Sequence, residues 1–341
     1  MTEPNPEHIA ALNRRFAQLG EHSGARALCT MLTHYRLHQP ETPPKSAPDT
    51  LAPCASPPVP SVTPLLDAGK VQEAIARMPD LPPLIAELLK GFTHAEQLNI
   101  SVVTQHLSTD QGLVLRILRI ANSSFYGLSG QVKSLDDAIQ ILGLRAVYTL
   151  ALNVAMMGAL PQPPCAGFNL NYFWQHSVAV AITARELIGL HHQTPDTAFT
   201  NGLLHDIGQI ILALCFPDEY QTMLDYENAT SAARYRMERA VLGIDHAQAG
   251  AMLARQWGLP EELSAAIAGH HAPPDDGSVD AMHLADVLAH ALDKCPSGNR
   301  AIPHLDEDAW MRLNLDEEHL FPVLTRLEGS FEETCKALLY G

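Results

Sequence analysis

The sequence predicts an all-α fold, and three observations support this prediction. From residue 65 onward, apolar residues recur at spacings of three and four, as in Leu81, Leu84, Ile85, Leu88 and Leu89, which share one helical face. No segment shows the sustained alternation of apolar and polar residues that marks a half-buried strand. Hydrophobic residues make up 46% and charged residues 18% of the chain, a composition typical of a globular protein with a sizeable core.

Charge and cysteine usage narrow the class of protein. The 22 Lys and Arg residues against 38 Asp and Glu residues give a formal net charge of −16, which argues against non-specific binding to DNA or to an anionic membrane. The six cysteines are scattered and form no Cys-x-x-Cys pair, which indicates a reducing cytoplasm.

The N-terminus lacks the pattern of a signal peptide. The apolar stretch closest to membrane-spanning length, residues 144–160, contains Arg145 and Asn153, so we expect no membrane span.

The chain divides into five predicted parts. Residues 1–39 form an N-terminal helical appendage with a break between Gly20 and Gly24. Residues 40–64 contain nine prolines and form a linker. Two helical regions follow, over residues 65–165 and 166–295, and the C-terminal helices of residues 296–341 pack on them.

Start and stop signals place individual helices. Pro82-Pro83 begins one helix. Ser134 followed by Asp137 resembles a capping box for a later helix, which runs through Ile139 and Leu142. In the second region we predict a single helix over residues 198–214, a cap and first turn at Asp245-His246, and a helix from Pro260 to His270-His271. We also predict one helix over residues 282–292 and one or two helices over residues 306–339.

Histidines and aspartates recur at predicted helix ends and inward-facing positions of the second region. Imidazole nitrogens and carboxylate oxygens suit divalent Fe, Mn, Zn or Ni, and a site between helices draws one or two ligands from each. The first histidine, the adjacent His-Asp and the last aspartate would bind one metal, and the other three histidines could supply a second. Two such ions can clamp a phosphate for phosphodiester hydrolysis. The candidate ligands are His176, His205, Asp206, His246, His270, His271 and Asp286.

Each candidate also has a structural interpretation, because a single histidine on a helix is more often a surface residue or a hydrogen-bonded core residue than a ligand. The ordered set is more specific, since five consecutive helical segments each carry a candidate. The remaining histidines His191, His192, His283 and His290 fit no ordered pattern, and we interpret them as solvated or capping.

Several strings of residues carry a resemblance to a known family. They are Leu81-Pro82-Pro83-Leu84, the string from Leu115 to Gly127, Ser134 to Gly143, Trp174 to Ser177, Gly202 to Gly208, and Trp257 to Leu263 ahead of His270-His271. With these strings, about three quarters of the chain, from about residue 75 to 341, resembles the HDOD domain, a bacterial signalling domain of the HD superfamily.

The resemblance implies a helical N-terminal lobe, residues 65–165, packed on an HD-like helical bundle, residues 166–295. It also implies a regulatory role. HDOD proteins are similar to the HD-GYP phosphodiesterases of cyclic di-GMP, although many have lost metal ligands and most have no demonstrated enzymatic activity. Here the seven candidate ligands match the HD-GYP metal positions one by one, which implies one or two divalent ions.

Two departures from the HD-GYP pattern matter. Those phosphodiesterases have a lysine after the Ile-Gly, whereas this chain has Gln209, which can offer a bound phosphate only a neutral hydrogen bond. After His271 the chain runs from Ala272 to Ser278 without the Gly-Tyr-Pro of that family. A metal site is therefore expected, while hydrolysis of a cyclic dinucleotide is in doubt.

Two functions remain open at this point. The first is a bacterial cytoplasmic signalling protein that acts through a protein partner by means of its HDOD domain, sensing a metal or a nucleotide. The alternative is a metal-dependent phosphohydrolase acting on a nucleotide or cyclic dinucleotide, with Asp206 essential to catalysis. A metal kept only to stabilise the fold is the third interpretation.

The string around Asn122 has two interpretations of its own. Arg116 and Arg119 lie one helical turn apart, and with Asn122 and Tyr126 they could form a docking surface. The favoured interpretation is a helix C-terminus, in which the arginines lie near the negative end of the helix dipole and Asn122 caps the turn.

Overall fold

The described residues fold into α-helices and contain no strand, which confirms the all-α prediction. The structure is a computed structural model that describes residues 12–13, 15–38, 60–93, 104–105, 107–108, 110–127, 130–190, 195–230, 233–294 and 301–340. The first helices are α1 (Ser23–His38), α2 (Ala68–Ala76), α3 (Pro83–Thr93), α4 (Gln111–Ala121), α5 (Leu135–Leu142), α6 (Leu144–Ala159), α7 (Leu170–Gly189) and α8 (Pro195–Leu204). The others are α9 (Ile207–Cys215), α10 (Pro217–Thr230), α11 (Arg234–Val241), α12 (His246–Gln256), α13 (Glu261–Gly269), α14 (Gly277–Ala291), α15 (Glu307–Leu313) and α16 (Glu317–Leu339).

Side-chain caps fix where many of these helices begin. The predicted caps at Ser134 and Asp245 are confirmed, because their side chains accept hydrogen bonds from the backbone amides of Asp137 and Gln248. The same type of bond starts several other helices, at Asp67, Asp110, Asn169, Asp276, Asp306 and Asp316. The cap at Asp245 matters most here, because it sets the first turn that carries His246.

Helix α7 is the centre of the second helical region. Residues 178–184 of this helix are buried on every side, and α8, α14 and α16 pack against it. Helix α8 can approach closely because it has Gly202, where a Cβ atom would lie 2.7 Å from the Cα of Ala181. Helix α9 packs on α12, and α12 packs on α13, so the predicted ligand-bearing segments surround one core.

The turn after α4 supports the structural interpretation of the Asn122 string. The Asn122 amide donates to the carbonyls of Leu118 and Val132, and its oxygen accepts from the Val132 amide at 3.0 Å. The Arg185 guanidinium lies over the rings of Phe125 and Tyr126, 4.4 and 4.7 Å from their centroids. These contacts hold the turn against α7.

The N-terminal segment packs against the C-terminal helices and against the end of α14. Tyr35 donates to Glu328, which also pairs with Arg36 at 3.1 Å. The Arg15 guanidinium donates to the carbonyl oxygen of His290, 2.9 Å away, at the last turn of α14. Most of the predicted linker, residues 40–59, and the first eleven residues of the appendage lie outside the described residues.

The prediction of one helix over residues 198–214 was wrong. The segment is broken at His205-Asp206 into α8 and α9, because the chain turns there before α9 packs on α12. By length and composition alone, Pro195–Cys215 could cross a membrane, but 89% of its apolar window is buried inside the described structure, as in a core helix of a globular protein.

Candidate metal centre

The seven predicted ligands lie together at the meeting point of the second-region helices. His176 projects from the middle of α7, and Asp286 from α14. The pair His205-Asp206 occupies the break between α8 and α9, His246 is the first residue of α12, and His270-His271 follows the last residue of α13. All are buried except His271, which is half-buried. Their role as ligands stays a prediction.

Asp206 stands between two groups of side chains. Its Oδ1 lies 2.9 Å from His246 Nε2 and 3.4 Å from His270 Nε2, and its Oδ2 lies 3.7 Å from His176 Nε2. One group joins Asp206 to His246, His270 and His271, and another joins Asp206 to His176 and His205; within each, the ligand atoms lie within 4.8 Å of one another. Asp206 therefore belongs to both groups of residues that would hold an ion.

Hydrogen bonds fix the orientation of three of these imidazoles. The Nδ1 of His205 lies 2.7 Å from the carbonyl oxygen of Gly202, and the Nδ1 of His270 lies 2.7 Å from that of Ile267. Because a carbonyl oxygen only accepts, each Nδ1 carries the proton, and Nε2 keeps its lone pair in the neutral ring. The Nδ1 of His246 likewise donates to the Glu238 carboxylate at 2.5 Å. Such outer partners orient metal-bound histidines.

The convergence of these nitrogens fits a cation. His246 Nε2 lies 2.8 Å from His271 Nε2 and 3.3 Å from His270 Nε2. Around a divalent ion with bonds of about 2.1 Å, neighbouring ligand atoms lie about 3.0–3.4 Å apart, close to these separations. The Nε2 of His205 is buried and has no hydrogen-bond partner among the described residues. Unprotonated nitrogens facing one another are favourable only with a proton or a metal ion between them.

Burial and neighbouring charges determine which groups of the site are protonated. Burial lowers the pKa of His205 to about 4 and holds the pKa of His271 well below its ordinary value. Burial alone would also lower the pKa of His246, but the carboxylates of Glu238 and Asp206 outweigh it and raise that pKa. Burial would raise the pKa of Asp206, but His205 and His246 hold it well below the usual range. The carboxylate is therefore ionised at neutral pH.

The site opens into a cavity of about 340 Å³. Gln209, Arg234 and Tyr235 line it together with five of the predicted ligands, His176, Asp206, His246, His271 and Asp286. The Tyr235 ring stacks on His271 with centroids 4.3 Å apart. Ligand pockets in proteins start at about 300 Å³, so the cavity suits a small ligand such as a nucleotide.

His290 is a site residue that the sequence interpretation missed. Its Nε2 lies 3.4 Å from Asp286 Oδ1, and together with His176 these residues form a third group of potential ligands. The signal was present, because residues four apart share a helix face. His283 is also not solvated: its Nδ1 donates to the His270 carbonyl, and its Nε2 accepts from the Asp306 amide. His191 and His192 lie outside the described residues.

Gln209 contacts the site in a way the sequence did not indicate. Its Nε2 donates to Asp206 Oδ2 at 2.6 Å, and its Oε1 accepts from Arg234 Nη1 at 2.7 Å. The neighbouring Gly208 has a packing role, since a Cβ atom there would lie 1.9 Å from the carbonyl oxygen of His246. Glycine therefore allows α9 to reach the start of α12 and brings Asp206 to His246.

Comparison with known proteins places this architecture in a family. Residues 78–273 match the HDOD domain. A protein from Shewanella amazonensis SB2B, provisionally named a phosphohydrolase, is 30% identical with a TM-score of 0.65; the match covers 79% of this chain and 98% of that one. An HDOD domain protein of unknown function from Geobacter sulfurreducens has a TM-score of 0.67 at 21% identity, covering 79% and 96% of the two chains.

A curated relative is an uncharacterized protein of Treponema pallidum (strain Nichols), 24% identical over 212 residues. The match covers 61% of this chain and 40% of that protein, so the chain spans less than half of the relative's length.

Proposed function

Because this chain belongs to the HDOD domain family, we propose that it is a signal-transduction protein whose helical bundle holds divalent metal ions and hydrolyses a phosphoester of nucleotide size. The observation that carries the proposal is the convergence of imidazole and carboxylate groups from α7, α12, α14 and the α8–α9 break on one cavity.

The residues of the chain have distinct tasks in this proposal. His246, His270 and His271 would hold one ion, and His176, His205 and Asp286 a second, with Asp206 between them. Divalent ions bound there supply the Lewis acidity that phosphoester hydrolysis needs. The surrounding helices bury these side chains and limit their contact with bulk water, which strengthens the electrostatic interactions at the site. Fe, Mn, Zn and Ni are the ions that suit this mixture of nitrogen and oxygen ligands.

The test begins with the metal. Protein purified without a histidine tag should contain Fe, Mn, Zn or Ni at near-stoichiometric level by elemental analysis. The metal-loaded protein should hydrolyse chromogenic phosphomonoesters or phosphodiesters. Asp206→Asn keeps the shape of the side chain but removes its charge, so both metal content and hydrolysis should fall sharply.

Asp80→Asn provides the matched control, because Asp80 is exposed and remote in sequence from every ligand. It should leave metal content and hydrolysis unchanged. A metal-loaded wild type that cleaves none of these esters, or Asp206→Asn activity equal to that of the wild type, would contradict hydrolysis as the function.

A second candidate is a regulatory scaffold that binds a protein partner without hydrolysis and in which a bound metal would serve only the fold. The hydrogen bond from Gln209 to Asp206 favours it, since Gln209 carries no charge and occupies one carboxylate oxygen. On this proposal Asp206→Asn would lose metal but keep partner-dependent signalling in cells. We also propose a cytoplasmic setting, which fits the free cysteines of the described residues, Cys29, Cys165, Cys215 and Cys335.

A further inference from the structure

We propose that Arg234 is the cationic anchor for the phosphate of the ligand, fixed in place by Glu227 and Gln209. This inference rests on the proposed function and names the group that recognises the anionic part of the substrate. Arg234 is the only arginine or lysine among the described residues that line the cavity. A phosphate that enters the cavity therefore has one guanidinium to contact among the described lining residues.

The guanidinium is held rigidly. Its Nε and Nη2 donate to the two oxygens of Glu227 at 2.9 and 3.0 Å, and its Nη1 donates to Gln209 at 2.7 Å. These bonds use three of the five N–H donors of an arginine. The Glu227 side chain is 1% exposed, whereas that of Arg234 is 22% exposed. The carboxylate is thus the more deeply buried partner, and the two remaining donors belong to a more exposed side chain that lines the cavity.

The anchor is also connected to the centre of the site. Gln209 accepts from Arg234 and donates to Asp206, so a single amide separates the guanidinium from the carboxylate between the two ligand groups. A ligand that contacts Asp206 and its metal-ligating neighbours therefore lies within reach of Arg234. Fixed donors cost little entropy when a phosphate binds, which favours both affinity and orientation.

Gln209 suits this arrangement better than a lysine would. A lysine has three donors and no acceptor, so it could not accept the hydrogen bond from Arg234. It would also place a second positive charge next to the guanidinium. Position 209 therefore carries no positive charge, but Arg234, which lies 25 residues further along the chain and donates a hydrogen bond to Gln209, supplies one.

The test replaces the ion pair without changing net charge. The double variant Glu227→Gln/Arg234→Gln removes the guanidinium and leaves no unpaired buried carboxylate. Its matched control is Glu73→Gln/Arg77→Gln, an i,i+4 pair whose side chains are 72% and 77% exposed. Each full-length protein is loaded with the metal found in the wild type, its metal content is measured, and inorganic phosphate is titrated by calorimetry.

The double variant should bind inorganic phosphate about ten- to a hundredfold more weakly with unchanged metal content, because charge-assisted hydrogen bonds are lost. The control should bind phosphate like the wild type. If the double variant does not fold, Arg234→Lys, which keeps the charge and loses the fork, should still weaken binding several-fold.

Three results would overturn the anchor: equal phosphate affinity in variant and wild type, loss of metal together with phosphate binding, or no phosphate binding by the metal-loaded wild type. Hydrolysis is measured separately on the same samples. Phosphate binding that depends on Arg234, without hydrolysis of any ester, would sustain the anchor and reject the phosphohydrolase.

Discussion

Glu238 offers the sharpest test of how the protein prepares its histidines for metal. Its side chain is fully buried, and its Oε2 accepts from the backbone amide of His246 at 2.8 Å and from His246 Nδ1 at 2.5 Å. Its Oε1 accepts from the Tyr220 hydroxyl at 3.2 Å. In Glu238→Gln the new amide can turn its oxygen towards His246 and its NH₂ towards the Tyr220 oxygen. The variant thus keeps the shape and the contacts and loses one negative charge.

The expected effect is a loss of metal affinity of about ten- to a hundredfold, the range for outer partners of metal-bound histidines. At about 1.4 kcal/mol for each tenfold, this equals about 1.4–2.8 kcal/mol. The Glu238 carboxylate attracts a divalent ion about twice as strongly as it attracts a proton on the same imidazole, because the ion carries twice the charge. Its removal therefore weakens metal binding more than it weakens the competing binding of a proton. Because Glu238 and Asp206 raise the pKa of His246, metal must displace a proton there at neutral pH, and affinity should rise with pH.

Competition with a chromogenic chelator measures metal affinity for wild type and Glu238→Gln across a series of pH values. Glu73→Gln, an exposed carboxylate, is the control and should match the wild type. Circular dichroism establishes that the helices persist. Equal affinity in the two folded proteins, or an affinity that falls with rising pH, would refute the reasoning that Glu238 prepares His246 as a ligand.

Three other substitutions probe different parts of the structure. Gly208→Ala adds a Cβ atom 1.9 Å from the His246 carbonyl oxygen, so α9 must shift; we expect about 1–3 kcal/mol of destabilisation in denaturant unfolding, with loss of metal. His290→Ala removes an imidazole 3.4 Å from Asp286, so metal held by Asp286 should bind more weakly while metal held by His246, His270 and His271 stays bound, which a metal count by elemental analysis would show. Asn122→Ala removes three hydrogen bonds and should lower stability by about 1–3 kcal/mol at unchanged metal content, measured by thermal unfolding and metal analysis.

Much of the fold could be predicted because local signals agree with it. Apolar spacing and caps such as Ser134 and Asp245 identify helices without reference to their neighbours. The break at His205-Asp206 could not be predicted in this way, since the run has no proline there and its apolar residues continue on both sides. The break has a tertiary cause, because α9 must turn to bring Gly208 against the backbone of α12.

The candidate site likewise contains some residues that local sequence signals identify and others that depend on tertiary contacts. Ligands at helix starts and ends, such as His246 and His270, stand out in the sequence, and His290 could have been found from its spacing of four from Asp286. Glu238 could not, since nothing in its own segment indicates a metal and its link to His246 depends on how α11 meets α12. No helix was predicted over residues 217–244, although α10 and α11 contribute Glu227, Arg234 and Tyr235 to the cavity lining.

Gln209 shows why the role of a site residue depends on its partners. Taken alone, glutamine in place of lysine removes a positive charge and argues against phosphate chemistry. In the structure the amide joins Asp206 to Arg234, a task that needs one donor and one acceptor and that lysine cannot perform. With glutamine at position 209, the positive charge is supplied by Arg234, which contacts the amide oxygen and pairs with Glu227. Arg234 and Glu227 are recognisable as site residues only once α10, α11 and the His-Asp turn are placed side by side.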